Sequence, residues 1–507
     1  MAALAALGAP TLRKLRVGVF ADARLQPRWL VEAFAAAARD GVAELACYVK
    51  DGVAAPPRRR SLYERVDRWA FSAADPDAPA DLADAAPCRA WHEGDEQAGK
   101  LDVAFVVGDV DEGSLEGRAR LGVWRYAVDG RREVAAGEML TPARLEVSLP
   151  ADGTRRVACE SWSRTYPLSV ARNRAALLAK ASMFVSRALR EASLGGRAWL
   201  EACPAAPQPE EGGVGALDVA RIGARIAARA LAKALYVDQW SLAFAFGREP
   251  NAALEGFTRI APPPDRDWAD PFALERNGRW YVFFEELPYA AGKAHISMIE
   301  LDAAGRWSAP VRVLERDYHL SYPFLLEHEG ELYMIPETGQ NRTVELYRCV
   351  DFPRRWRLER VLIDGVRCVD ATLYRGTRRW WMFANVAPGE SRVFDDELHV
   401  FHAPGLFAPW RPHAANPVKS DVRCARSAGA LYTRDGALYR PAQICAPRYG
   451  AGLCLNRIVR LTAEEFVERP VERLLPPAGS GLLGLHTVNR AGALVVVDAF
   501  SRRRRLA

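Results

Sequence analysis

From about residue 236 onward the chain repeats itself with a period near fifty residues, and a repeat of that length decides architecture before any single residue does. The segments DPFALERNGRWYVFFE from Asp270, YPFLLEHEGELYMIPE from Tyr322, DATLYRGTRRWWMFAN from Asp370 and AGALYTRDGALYRPAQ from Ala428 align beneath one another. A weaker fifth copy, GLHTVNRAGALVVVDA, starts at Gly484, so the starts are 52, 48, 58 and 56 residues apart. Each copy is an apolar strand, a tight turn and a second apolar or aromatic strand. A bulky residue recurs ten positions in: Trp280, Leu332, Trp380, Leu438 and Leu494. Four-stranded blades run at this spacing, so residues 236–500 are expected to form an all-β, five-bladed propeller.

The first half reads differently. LRVGVFA (15–21), ELACYVK (44–50) and LDVAFVVGD (101–109) are strand-like runs, and PRWLVEAFAAAARDG between the first two has helical period. Strands alternating with helices imply an α/β domain on a parallel sheet, assigned here to residues 15–202 after a flexible tail at 1–14. A long helix is expected from Ser169 to Ala192. CPAAPQPEEGGVG (203–215) reads as linker, followed by a basic helix to residue 235. In that helix Arg221, Arg225, Arg229 and Lys233 recur every four residues and form one stripe, while Val219, Ile222 and Ile226 lie on another side. The stripe reads as a solvated outer face, or as peripheral contact with an anionic membrane surface through 217–235. Residues 501–507 are expected to be a basic tail.

Of the 69 basic residues, 62 are Arg, and the net charge of +6 is spread over 507 residues. That dilution argues against nucleic acid as a partner. Nine cysteines are scattered without a CxxC pair, which reads as free thiols. With no uninterrupted apolar run of membrane-spanning length and no secretory pattern at the start, a cytoplasmic location is expected.

In a propeller the inner strands line an axial channel, so the residues opening each copy converge there. They are Asp270, Tyr322, Asp370, the Arg426-Ser427-Ala428 run and His486. Fifteen positions into each of the first four copies the residue is polar: Glu285, Glu337, Asn385 and Gln443. Polar groups recurring at one offset mark a hydrated or ligand-lined feature, or satisfy backbone groups between blades. Arg342, Lys419 and Arg426 are candidate contacts for a phosphate or carboxylated sugar. Trp268, Tyr322 and Trp380 are candidate sugar platforms, although Trp380 reads more readily as core. Asp395-Asp396 with His399 and His402 reads as a loop with chance spacing, so no metal and no cofactor is expected.

WADPF (268–272), SYPFLLEHEGELYMIPET (321–338), VDATLY (369–374), HAANPVKSDVRCARSAG (413–429) and LHTV (485–488) carry a resemblance. The β region resembles the five-bladed propellers of the arabinanase, invertase and levansucrase type. More closely it is similar to the N-terminal domain of plant glucosamine inositolphosphorylceramide transferases. The resemblance implies Asp270 as base or nucleophile and Asp370 as the residue that tunes and orients. It also implies a Glu acid in the next blade, where this chain has Arg426-Ser427-Ala428-Gly429 instead. Glycoside cleavage needs a second carboxyl to protonate the leaving oxygen. Glu337, and after it Glu285, are the substitutes.

RVGVFADARLQPRWLVEAF, LDVAFVVGD and ARLGVWRY make the first half resemble the N-terminal α/β domain of formyltransferases. That resemblance implies a Rossmann-type sheet and an Asn, His and Asp that shuttle a proton. The first His in the chain, His92, precedes the LDVAF strand instead of following it, and GVWRYAVDG has neither Asn nor His. Three functions follow. The first is glycosyl transfer or glycoside processing of a sugar, or a nucleotide- or lipid-linked sugar, in the axial pocket. The second is a non-catalytic glycan reader built from two degenerate enzyme folds. The third is an amino-sugar formyltransferase.

Overall fold

The computed structural model describes residues 13–50, 62–71, 75, 77–92, 100–149, 154–208, 214–249, 254–387 and 393–505. They fall into two compact units, Met1–Ile226 and Ala227–Ala507. The tail expected at 1–14 lies, as far as residue 12, outside the described residues.

The first unit is built on a seven-stranded mixed sheet. Its order is Cys88–Trp91, Ala43–Lys50, Leu15–Ala21, Val103–Val107, Val123–Ala127, Leu140–Ser148, Arg155–Arg164. The first five strands run parallel and the last two are antiparallel. All five residues of Val103–Val107 are buried, as a strand covered on both faces requires. The helix expected over Ser169–Ala192 is two helices, Val170–Ala181 and Phe184–Ala202, and Ser169 caps the first by accepting from Arg172 N at 3.0 Å. The opening of the expected linker is not loose. Pro204 O accepts from Val157 N and Ala206 N donates to Arg155 O, both at 2.8 Å, so this stretch extends the sheet edge.

Ala216–Leu235 is helical as expected. Ile222 is buried against Val134 and Val170, and Arg225 donates to Val134 O at 2.8 Å. One of the four cations is therefore committed to a carbonyl. Leu217, Leu231 and Leu235 are exposed on the side adjoining the remaining cations. Among the described residues no helix is long and apolar enough to cross a membrane.

The second unit is a five-bladed propeller. Blade 1 is Arg266–Arg276, Arg279–Pro288, His295–Leu301 and Val311–Leu314; blade 2 is Ser321–His328, Glu331–Glu337, Thr343–Asp351 and Arg355–Asp364. Blade 3 is Cys368–Arg375, Trp380–Val386, Glu397–Ala403 and Arg411–Pro412; blade 4 is Tyr432–Arg434, Ala437–Ile444, Gly452–Leu461 and Phe466–Leu474. Blade 5 joins the two ends of the unit. Tyr236–Phe246 pairs antiparallel along its whole length with Leu494–Arg504, flanked by Val488–Ala491 and Thr258–Ile260. The stretch after residue 500, expected as a tail, therefore continues a strand through Arg504, where Asp238 pairs with Arg502. Eleven paired residues close the ring and leave no open edge between its first and last strands. The bulky repeat positions are core: Trp280, Leu332, Trp380 and Leu494 are buried and Leu438 is half-buried.

Candidate functional site

The inner strands of the first three blades share one local device. At their start the register slips between Ala269 and Phe272, Ser321 and Phe324, and Val369 and Thr372. Inside each slip sits one residue in the left-handed region: Asp270 (φ 52°), Tyr322 (φ 44°) and Asp370 (φ 54°). For side chains of this size that conformation costs roughly 1–3 kcal/mol and persists only where its surroundings fix it. Its product is aim, because a bulge re-points a side chain that the pleat would send into a blade interface. The three repeat-opening residues named from sequence are thus brought to one end of the axis by the same backbone solution.

Asp270 is buried and heavily contacted. Its Oδ1 accepts from Thr487 Oγ1 at 2.6 Å, and its Oδ2 from Tyr322 N at 3.3 Å. Its own N–H donates to Asp498 Oδ2 at 3.0 Å. Asp498 also accepts from the backbone N–H groups of His486 (2.8 Å) and Thr487 (2.9 Å), and its carboxylate meets His486 Nδ1. The other imidazole nitrogen lies 3.8 Å from Asp270 Oδ1. Burial alone would pull His486 down, but Asp498 and Asp270 together hold it above its usual value. Burial pushes Asp270 up to about 6, with Asp370 and Asp498 adding to the rise and His486 opposing it.

Asp370 is held from the other side. Arg426 Nε donates to its Oδ2 at 2.7 Å, while an Arg426 Nη reaches Asp395 at 3.2 Å. Gln443 Nε2 approaches the same Asp370 oxygen at 3.4 Å and donates to Ser427 O at 2.9 Å. Asn385 accepts from Ser427 N and donates to Glu397 O. The polar residues at offset fifteen therefore divide. Asn385 joins backbone groups of blades 3 and 4, Gln443 meets a backbone carbonyl of its own blade and reaches Asp370, and Glu285 and Glu337 keep partly exposed carboxyls.

Both glutamates are enclosed by protein yet retain partial solvent exposure. Burial pushes Glu337 up to about 8, Asp370 adds to this, and Arg426 opposes it; Ser321 Oγ donates to it at 3.1 Å. Burial followed by Asp270 and Glu337 raises Glu285 well above the carboxylate range, and His319 lies 3.4 Å from it. Asp270 and Glu337 thus sit in one electrostatic unit with their protons held at different strengths, the arrangement that separates a base from an acid.

Other sequence candidates are engaged within the protein or lie at its surface. Tyr322 is fully buried; its hydroxyl bonds Thr372 Oγ1 at 2.8 Å and accepts from Gly429 N at 2.7 Å, making it a strut between blades. Trp268 is also core, which corrects its reading as a sugar platform, and Trp380 is core as the sequence favours. Arg342 is exposed at the same end of blade 2 and donates to Gly365 O at 3.3 Å. Lys419, on a short strand paired with Glu397–Ala403 of blade 3, is engaged by Glu468 of blade 4 at 2.7 Å, beside Arg440.

The aromatic surfaces at the axis are Trp240 and Tyr449. Trp240 stacks on His486 with centroids 3.9 Å apart, Tyr449 meets the same ring edge-on, and Arg426 lies over Tyr449 at 4.8 Å. Sequence reading missed both, together with Thr487 and Asp498. A lone acid in VVVDAF was the available signal for Asp498, since an isolated carboxylate in a buried strand needs partners. Asp270, His486 and Asp498 are the one group among the described residues spaced to hold a metal ion, within 4.8 Å of one another.

In the first unit, the strand ends named by the formyltransferase resemblance carry Asp22, whose carboxylate accepts from Gln26 Nε2 and Asp109 N at 2.9 Å each. Both oxygens thus serve the local loops.

Residues 260–479 match the family model described as glucosamine inositolphosphorylceramide transferase 1, N-terminal. The rice (Oryza sativa subsp. japonica) glucosamine inositolphosphorylceramide transferase 1 is 34% identical over 221 residues, 43% of this chain and 30% of the relative's own length. The Arabidopsis thaliana protein of the same name is 30% identical over 221 residues, 43% of this chain and 29% of its own length. The chain therefore spans under a third of these curated relatives. The catalytic domain of a Coprinopsis cinerea GH62 α-L-arabinofuranosidase overlaps 47% of this chain and 94% of its own, at 13% identity and a TM-score of 0.37, too slight a likeness to assign any residue a role. Over the matched residues, the propeller of this chain is similar to the N-terminal region of the glucosamine inositolphosphorylceramide transferases.

Proposed function

We propose that the axial pocket processes or transfers a sugar, presented free or linked to a nucleotide or lipid. The observation that carries this reading is the pairing of Asp270 and Glu337 at one end of the propeller. Near neutral pH, Asp270 is ionised and Glu337 is protonated. Asp270 then acts as base or nucleophile, and Glu337 delivers a proton to the departing oxygen. Asp370, clamped by Arg426, orients the pocket and contributes to the raised Glu337. Arg426 engages Nε and one terminal nitrogen within the protein, so donors remain for a phosphate or carboxylate on the sugar donor. Trp240 and Tyr449 offer the ring surfaces. The name borne by the plant relatives supports a sugar or lipid-linked sugar as the substrate class.

One observation favours a second reading, a glycan reader without turnover. The blade position that the resemblance assigns to an acid is Arg426, and its charge is directed at Asp370. A third reading, amino-sugar formylation by the first unit, rests on sequence resemblance; absence of any heat on adding formyl-tetrahydrofolate removes it.

The test is Asp270→Asn, assayed on nitrophenyl glycosides and nucleotide sugars beside the unaltered protein. Turnover should vanish while the melting temperature moves little, because an amide oxygen still accepts from Thr487 or Tyr322. Full activity in the variant refutes the catalytic role. Sugar binding by both proteins with turnover by neither establishes the reader.

A further inference from the structure

A groove of about 1000 Å³ opens between blades 3 and 4. It is lined by the turn Gly376–Arg379 and by residues around the turn at Thr462 to Glu464. These turns lie at the far ends of strands whose opposite ends face the axial site. Six residues of extended strand, roughly 20 Å, separate Asp370 from Gly376. The groove is therefore a place apart from the pocket described above.

Its charge is lopsided. Arg378, Arg379, Arg457, Arg460 and Arg469 line it against one carboxylate, Glu464. Arg460 is neutralised by Glu465 at 2.6 Å. Arg457 and Arg469 stand directly opposite each other across neighbouring strands. Both are exposed, and neither has an ion-pair partner among the described residues. Like charges in direct cross-strand register destabilise a sheet. Other exposed arginines on outer hairpins do have a carboxylate partner, among them Arg306 with Asp302, Arg312 with Glu315 and Arg355 with Asp351. An opposed, unmatched pair beside a cavity of ligand size has a physical rationale when an anion sits between them. The cavity also has apolar walls, Leu438, Ile458 and Trp381, the last under the Arg379 guanidinium at 5.6 Å.

We propose that this groove is a second binding site, for a saccharide bearing carboxylate or sulfate groups. Guanidinium groups take the anionic oxygens in forked pairs, and the apolar wall takes the face of a sugar ring. The volume suits a ligand of a few rings, within the range of ordinary small-molecule sites. Binding here does not depend on chemistry at the axis.

Calorimetry on the full chain tests this with three tetrasaccharides, one sulfated, one of uronate units and one neutral, and with a single-stranded oligonucleotide of similar charge. A charged tetrasaccharide should bind and the neutral one should not. The double variant R457S/R469S should weaken that binding by roughly tenfold to a hundredfold. Its melting temperature should be unchanged or higher, because the opposed charges are gone. Asp270→Asn should leave this binding intact, which separates failure here from failure of the axial reading. Undiminished binding in R457S/R469S, equal binding of the neutral tetrasaccharide, no binding of either charged one, or tighter binding of the oligonucleotide would overturn the proposal.

Discussion

Arg426 donates from Nε to Asp370 Oδ2 at 2.7 Å, and both side chains are largely withdrawn from water. Removing one member of a buried ion pair leaves the other charge uncompensated, which costs about 3–5 kcal/mol. Arg426→Ala should therefore lower the unfolding free energy by about that amount, read by urea denaturation. Arg426→Lys should recover part of it, because an ammonium restores charge without the planar fork shared with Asp395.

Asp498 should be as sensitive for a different reason. It accepts from three backbone N–H groups and from His486. Asp498→Ala leaves those donors buried without an acceptor, at about 1–3 kcal/mol each when unrelieved. The expected outcome is a larger loss of stability than for Asp270→Asn, measured by thermal unfolding of both.

The raised Glu337 gives a pH dependence that needs no substrate. Its folded value of about 8 lies above the 4.5 of an unhindered glutamate, so the folded state binds more protons than the unfolded state between the two. Stability from this group is fully present below about 4.5 and declines as pH rises toward 8. Glu337→Gln removes the penalty of ionising a buried carboxyl. The variant should gain melting temperature relative to the unaltered protein at pH 8–9, and gain less at pH 5.

Activity should follow the two groups together. Asp270 must be ionised and Glu337 protonated, so kcat/KM should rise through about 6 and fall through about 8. Glu337→Gln should flatten the upper limb.

The exposed leucines at 217, 231 and 235 beside Arg221, Arg229 and Lys233 suit the surface of an anionic bilayer. Vesicles containing phosphatidylserine should sediment with the full chain, and neutral vesicles should not. Replacing Leu231 and Leu235 by Ser should weaken this contact, and raising salt should weaken it as well.

Much of the propeller was legible because blades repeat, and each repeat spells a hairpin that a period of two exposes. The shared placement of Asp270, Asp370 and Glu337 was legible for the same reason, since a residue at a fixed offset in several copies comes to the same end of each blade. Trp240 and Tyr449 were not, because one comes from the strand that closes the ring and the other from a loop, outside the repeated segments. Nor could the sequence tell a sugar platform from a strut at Tyr322. That distinction depends on whether its hydroxyl meets Thr372 and Gly429 or solvent. In the first unit, the hairpin Leu140–Ser148 with Arg155–Arg164 escaped a reading tuned to parallel strands, although its half-buried alternation is the ordinary antiparallel signature.

The central claim is that Glu337 supplies the proton that Asp270 cannot. Its most direct measurement is the leaving-group dependence of Glu337→Gln on a series of aryl glycosides. The account predicts that activity on a good leaving group, which departs unprotonated, is largely kept, while activity on a poor one falls by roughly 10²–10⁴. Equal loss across the series, or no loss at all, would contradict it.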